Sequence, residues 1–143
     1  MKEMGIETTF VSPTATLEEL RAAIQPNTRA VFAETLANPS LVVADLETFA
    51  QAAHEAGLPL IVDNTFPTPI NCRPFDFGAD IVTHSTTKYM DGHAVQVGGV
   101  IVDSGNFNWD NGKFPMLTQP DESYHALCTP SISARRLTSP SAA

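Results

Sequence analysis

The chain has 143 residues, 43% of them hydrophobic and 17% charged, a balance that excludes an unfolded polar polymer. Its formal net charge of −8 argues against nucleic acid or an anionic membrane as the main partner, and no apolar run approaches the roughly 20 residues that span a bilayer. Two cysteines, Cys72 and Cys128, make no disulfide framework, and no apolar stretch follows Lys2 as in a secretory signal, so a reduced, cytoplasmic chain is expected.

Residues 5–11 alternate and are rich in β-branched side chains, which predicts a short strand broken by Ser12-Pro13. Thr16 and Glu19 have the spacing of a capping box. Leu17, Leu20 and Ile24 follow at helical spacing, so a helix should end before Pro26. Ala30-Val31-Phe32-Ala33 reads as a buried strand and leads into the polar loop Asn38-Pro39-Ser40. Asp45 should cap a second helix with Leu46, Phe49, Ala50 and Ala53 on its apolar face and Gly57 at C′.

Pro59-Leu60-Ile61-Val62 has the continuous apolar character of a strand covered on both faces, and it ends in Asp63-Asn64-Thr65. Ile81-Val82-Thr83-His84 repeats the pattern, and Gly98-Gly99-Val100-Ile101-Val102 is a further strand. Strands alternating with helices imply an α/β fold, a mostly parallel sheet flanked by helices. Periodicity fades from Gly105, leaving residues 106–124 loop-like. One domain is expected over residues 1–127. The stretch 128–143, dominated by Ser, Thr, Pro and Ala, is too poor in apolar residues to offset its ordering entropy, so a disordered tail is expected there.

Ligands of open α/β sheets bind at the carboxyl ends of the strands. Asn38, Asp63 and the run Ser85 to Lys88 all fall there in this reading. A pyridine aldehyde with a phosphate arm would use each of them. A carboxylate keeps a ring nitrogen protonated, a lysine amine condenses with an aldehyde, and hydroxyls hold phosphate. Each residue also has an ordinary reading: Asp63 as a turn cap, Lys88 as solvated surface, Asn38-Pro39 as a plain turn. The four histidines show no ligand spacing, so no metal site is expected, and the glycines form neither GxGxxG nor a P-loop. Only the combination stands above background.

With these residues in view, the chain resembles the Cys/Met-metabolism family of pyridoxal-phosphate (PLP) enzymes. The likeness rests on Val31-Phe32-Ala33-Glu34-Thr35, Asn38-Pro39, the run Pro59 to Phe66, Cys72-Arg73-Pro74, Gly78 to Val82, His84 to Tyr89 and Gly98 to Asp103. Asn111-Gly112-Lys113-Phe114-Pro115 and Ser123-Tyr124-His125 favour its sulfhydrylase branch over the lyases, with a γ-lyase or a cystathionine γ-synthase, which share the cofactor residues, as the alternative. The resemblance implies part of a type I PLP large domain, with Lys88 as catalytic lysine and Asp63 facing the pyridine nitrogen. It further implies Ser85 and Thr87 on the phosphate, Asn38 at the ring hydroxyl and Thr65 on the ring face.

The reaction implied is γ-replacement on O-acetylhomoserine with sulfide, giving homocysteine and acetate, in a homodimer or homotetramer. The resemblance also places the family's Gly-rich phosphate loop and ring-stacking tyrosine before Met1, and its substrate-carboxylate arginine beyond the likeness. On that footing the chain is expected to be a gene fragment with an out-of-frame tail, a non-catalytic remnant that binds PLP weakly or only associates with full-length subunits. Where the family has Gly-Gly-His-Gly, this chain reads Asp91-Gly92-His93-Ala94, and two lost glycines are expected to strain the backbone there.

Overall fold

The computed structural model describes residues 2–126. The tail expected over 128–143 lies outside the described residues. Two compact units divide the chain, Met1–Asp103 and Ser104–Ala143.

The first unit is built on one four-stranded sheet of β1 (Val31–Glu34), β2 (Leu60–Asp63), β3 (Ile81–Ser85) and β4 (Gly99–Asp103), in that spatial order. β1, β2 and β3 run parallel, with Ala33 beside Val62 and Val62 beside Val82. β4 runs antiparallel to β3, so its first residue, Gly99, lies opposite Ser85, the last residue of β3. The sheet is thus α/β and mostly parallel, as the alternation of elements predicts.

Two helices carry the covered face. α1 (Leu17–Ala23) starts in a complete capping box: the Glu19 amide donates to Thr16 Oγ1 at 3.3 Å and the Thr16 amide donates to Glu19 Oε2 at 2.8 Å. α2 (Leu46–Glu55) starts at Asp45, whose carboxylate accepts from the Thr48 amide at 3.2 Å. Gly57, past its end, has the left-handed φ of 65° that the C′ position requires. Arg21 and Glu55 join the two helices through a bidentate pair at 2.7 and 2.8 Å, an exposed contact that orients more than it stabilises. Phe49, Ala50, Ala53, Leu60, Val62 and Val82 make the centre of the core.

A buried carboxylate ties α2 to the sheet. Asp80 Oδ2 accepts from the Leu60 amide and from His54 Nε2, both at 2.8 Å. Just before it, Gly78 turns with φ of 90°, and a Cβ there would stand 2.8 Å from Ala50 Cβ, so only glycine lets this turn sit against α2.

Two expectations are corrected. Residues 5–11 form no strand, and Phe10 is 91% exposed. Alternation makes a strand only where a neighbouring strand supplies the ladder, and among the described residues none is paired with this segment. β2, expected to be covered on both faces, is not: Leu60 and Val62 are buried, while Ile61 on the other face is half-buried. Ala33, Leu60, Val62 and Val82 are buried against the helices, whereas Phe32 on the other face is 60% exposed and Ile101 is 75% exposed.

In the second unit, described to Ala126, Phe107, Trp109 and Phe114 stack edge-to-face with centroids 4.7 to 5.8 Å apart. The stretch read as loop contains a one-turn helix, α3 (Pro115–Thr118), and a 3₁₀ turn at Glu122–Tyr124.

Candidate functional site

Because β1, β2 and β3 are parallel, their carboxyl ends share one edge of the sheet. Asn38 follows β1, Asp63 ends β2, and Ser85 ends β3 with Thr87 and Lys88 just beyond. The antiparallel β4 enters at the same edge through Gly98 and Gly99.

Asp63 is half-buried, and one oxygen does the work the turn reading assigns to it. Oδ1 accepts from the Thr65 amide at 2.9 Å and from the Thr65 hydroxyl at 2.5 Å. Oδ2 has no hydrogen bond among the described residues. The turn-cap reading and the ligand reading of Asp63 are therefore compatible, one for each oxygen. Thr65 Oγ1 in turn accepts from the Ser85 amide at 2.8 Å, joining the end of β2 to the end of β3.

The side chains after β3 divide into engaged and free. Thr87 Oγ1 accepts from the Gly98 amide at 2.9 Å and donates to the Gly98 carbonyl at 3.2 Å, so its single proton is committed to the strand opposite. The Ser85 hydroxyl and the Lys88 ammonium have no partner among the described residues, and Lys88 is exposed. The Lys88 amide closes the turn onto the Ser85 carbonyl at 3.3 Å. Asn38 is held through its backbone, its amide donating to Glu34 Oε2 at 3.1 Å, which leaves the side-chain amide without a partner among the described residues.

Below this edge lies a buried polar pair. Thr35 Oγ1 donates to Asn64 Oδ1 at 2.9 Å, and Asn64 Nδ2 donates to the Cys72 carbonyl at 2.8 Å. Burial and the nearby Asp76 charge push the Cys72 thiol above its ordinary pKa, so it stays protonated. His84, also buried, leaves Nδ1 without a partner.

Two residues that organise the lysine loop escape sequence reasoning. Gly98 is one: a Cβ there would stand 2.6 Å from Thr86 Oγ1, so glycine lets the returning chain pass close against Thr86 without displacing that hydroxyl. Asp91 is the other, its carboxylate accepting from the His93 amide at 3.3 Å and the Val95 amide at 2.9 Å. The Gly98-Gly99 pair ahead of an apolar run was the available signal for the first. The strain expected from lost glycines is present at Ala94, which has φ of 54°, while Asp91 is not among the residues of positive φ.

A carboxylate oxygen with an open lone pair, a free hydroxyl and a free amine at one sheet edge suit a ligand that offers a cationic N–H, an anion and an aldehyde. Pyridoxal phosphate offers all three. No group of His, Cys, Asp and Glu that could hold a metal ion occurs among the described residues, and no helix among them is long and apolar enough to cross a membrane.

Comparison with known proteins agrees with this chemistry. An O-acetyl-L-homoserine sulfhydrylase of Leptospira meyeri is 47% identical over 125 residues, covering 87% of this chain and 28% of the relative. One of Thermus thermophilus is 47% identical over 128 residues, covering 89% of this chain and 30% of the relative. The chain thus spans under a third of the length of the curated relatives it matches.

Among solved structures, an O-acetylhomoserine (thiol)-lyase from Campylobacter jejuni superposes with a TM-score of 0.74 at 34% identity, over 80% of this chain and 29% of that one, and it carries a pyridoxyl-lysine phosphate. A methionine gamma lyase from Micromonospora echinospora gives 0.67 at 37% identity, over 71% and 28%. The family model for the Cys/Met metabolism PLP-dependent enzymes matches residues 1–125. The chain belongs to the Cys/Met metabolism family of PLP-dependent enzymes.

Proposed function

We propose that this chain carries cofactor-contacting groups of a γ-replacement enzyme that takes O-acetylhomoserine and sulfide to homocysteine and acetate. The observation that carries the reading is the set of free groups at one sheet edge: Asp63 Oδ2, the Ser85 hydroxyl and the Lys88 amine. When bound, PLP supplies an electron sink that stabilises negative charge on the substrate's Cα. Asp63 holds a proton on the ring nitrogen, because an adjacent negative charge favours the charged ring. Ser85 binds the phosphate, and Thr87 braces the loop through Gly98 and reaches the phosphate only by exchanging that partner. Asn38 meets the ring hydroxyl and Thr65 the ring face. The Lys88 amine takes a proton at Cα and returns it at Cβ, a role that needs an amine able to lose its own proton near neutral pH.

The choice of O-acetylhomoserine and sulfide is supported by the relatives at 47% identity, whose names state a sulfhydrylase. A γ-lyase is the second reading, favoured by the likeness to the methionine gamma lyase. Assembly into dimers or tetramers and cytoplasmic residence belong to the same proposal.

The test begins with PLP added to the purified chain, where a visible band from lysine-bound cofactor is expected and Lys88→Ala should remove it. A band that survives Lys88→Ala refutes the lysine assignment. Homocysteine formed from O-acetylhomoserine only when sulfide is present supports replacement. Release of 2-oxobutyrate without sulfide supports the lyase. Turnover of neither substrate, with the band intact, leaves the chain a PLP binder.

A further inference from the structure

Thr65 is assigned above to the ring face, but its hydrogen bonds give it a separate task. The carboxyl torsion of an aspartate is broad and two-fold, so an untethered Asp63 would present either oxygen to a ligand. Here the Thr65 amide and hydroxyl both donate to Oδ1, at 2.9 and 2.5 Å. A hydroxyl has one proton and two lone pairs. With the proton committed to Asp63, a lone pair accepts the Ser85 amide at 2.8 Å. Thr65, through its amide and its hydroxyl, therefore saturates one oxygen of the carboxylate at the end of β2, and the same hydroxyl fixes the backbone at the end of β3.

We infer that Thr65 is a positioning residue, which sets Asp63 with Oδ2 toward a cationic ring N–H and locks that carboxylate to the Ser85 backbone. The two ends of a bound ring, nitrogen and phosphate, are then held at one spacing by a single hydroxyl. The inference rests on the PLP reading for its ligand, while the lock itself belongs to the protein alone.

The experiment has two arms on the full chain, comparing wild type with Thr65→Val, Thr65→Ala and Thr65→Ser. Without PLP, hydrogen exchange read by NMR should show the Ser85 amide protected in wild type and Thr65→Ser. It should exchange freely in Thr65→Val and Thr65→Ala, while the Leu60 and Val62 amides stay protected in all four. The second arm adds PLP labelled with ¹⁵N in the ring. Wild type and Thr65→Ser should hold the ring nitrogen protonated. The two variants without a hydroxyl should bind about tenfold to a hundredfold more weakly, the weight of one hydrogen bond to a charged group, with the ¹⁵N shift moved toward the unprotonated form.

Unchanged Ser85 protection in both hydroxyl-less variants overturns the lock. An unchanged ring-nitrogen shift in them overturns the positioning role. A wild-type chain that binds no PLP yet shows the expected exchange pattern upholds the lock and overturns the cofactor reading alone.

Discussion

At Ala94 the chain holds an alanine in left-handed backbone, φ 54°, within the loop that follows the lysine. Left-handed backbone brings Cβ against the following carbonyl and costs roughly 1–2 kcal/mol outside glycine. Ala94→Gly should therefore stabilise the chain, net of glycine's greater unfolded-state entropy, by about 0.5 kcal/mol, read as a rise in the urea midpoint at constant slope. The strain was legible as a departure from a family pattern, because a missing glycine in a tight turn has a local consequence. The bonding of Thr87 was not legible. Its hydroxyl faces Gly98, eleven residues on, and nothing in the run Ser85 to Lys88 shows whether a hydroxyl will find a partner across the sheet or stay free. Asp63 lies between these cases, since its turn-capping bond is local and was foreseeable, while the vacancy of its second oxygen depends on what surrounds it.

Among the elements, the helices were the most legible. Thr16 with Glu19, Asp45 and Gly57 fix both helix starts and one helix end through bonds within a few residues. Strand pairing is non-local, which is why the alternating stretch 5–11 misled. The clamp between α2 and β2 was likewise invisible, because Asp80 reads as the polar start of a strand. Asp80→Ala would leave the buried Leu60 amide without an acceptor, which costs about 1–3 kcal/mol, whereas His54→Ala leaves that bond in place. Chemical denaturation should thus show the aspartate substitution as the more damaging of the two. Equal losses would mean the amide finds another acceptor.

For the molecule as a whole, three carboxyls among the described residues are held below their ordinary pKa and so contribute to its pH dependence in acid. Hydrogen bonds from the Thr16 amide and hydroxyl lower Glu19, those from Thr48 lower Asp45, and those from Arg21 and Gln51 lower Glu55. A lowered folded-state pKa stabilises the fold above the unfolded value and loses that contribution as pH falls through the folded one. The thermal midpoint should therefore decline below about pH 4, and Glu55→Gln should make the decline shallower. The sheet face bearing Phe32 and Ile101 could not be foreseen as open, since a continuous apolar run signals burial without saying what covers it. The reversal of direction at β4 has a different kind of consequence. The chain leaves the sheet at Ser85 and re-enters beside it at Gly99, so residues 86–98 form a loop whose two feet stand together, stapled by Thr87 and Gly98. Insertions or deletions among residues 92–96 would be absorbed in the outer part of that loop while the feet hold, leaving Lys88 where it stands and its surroundings open to change in length.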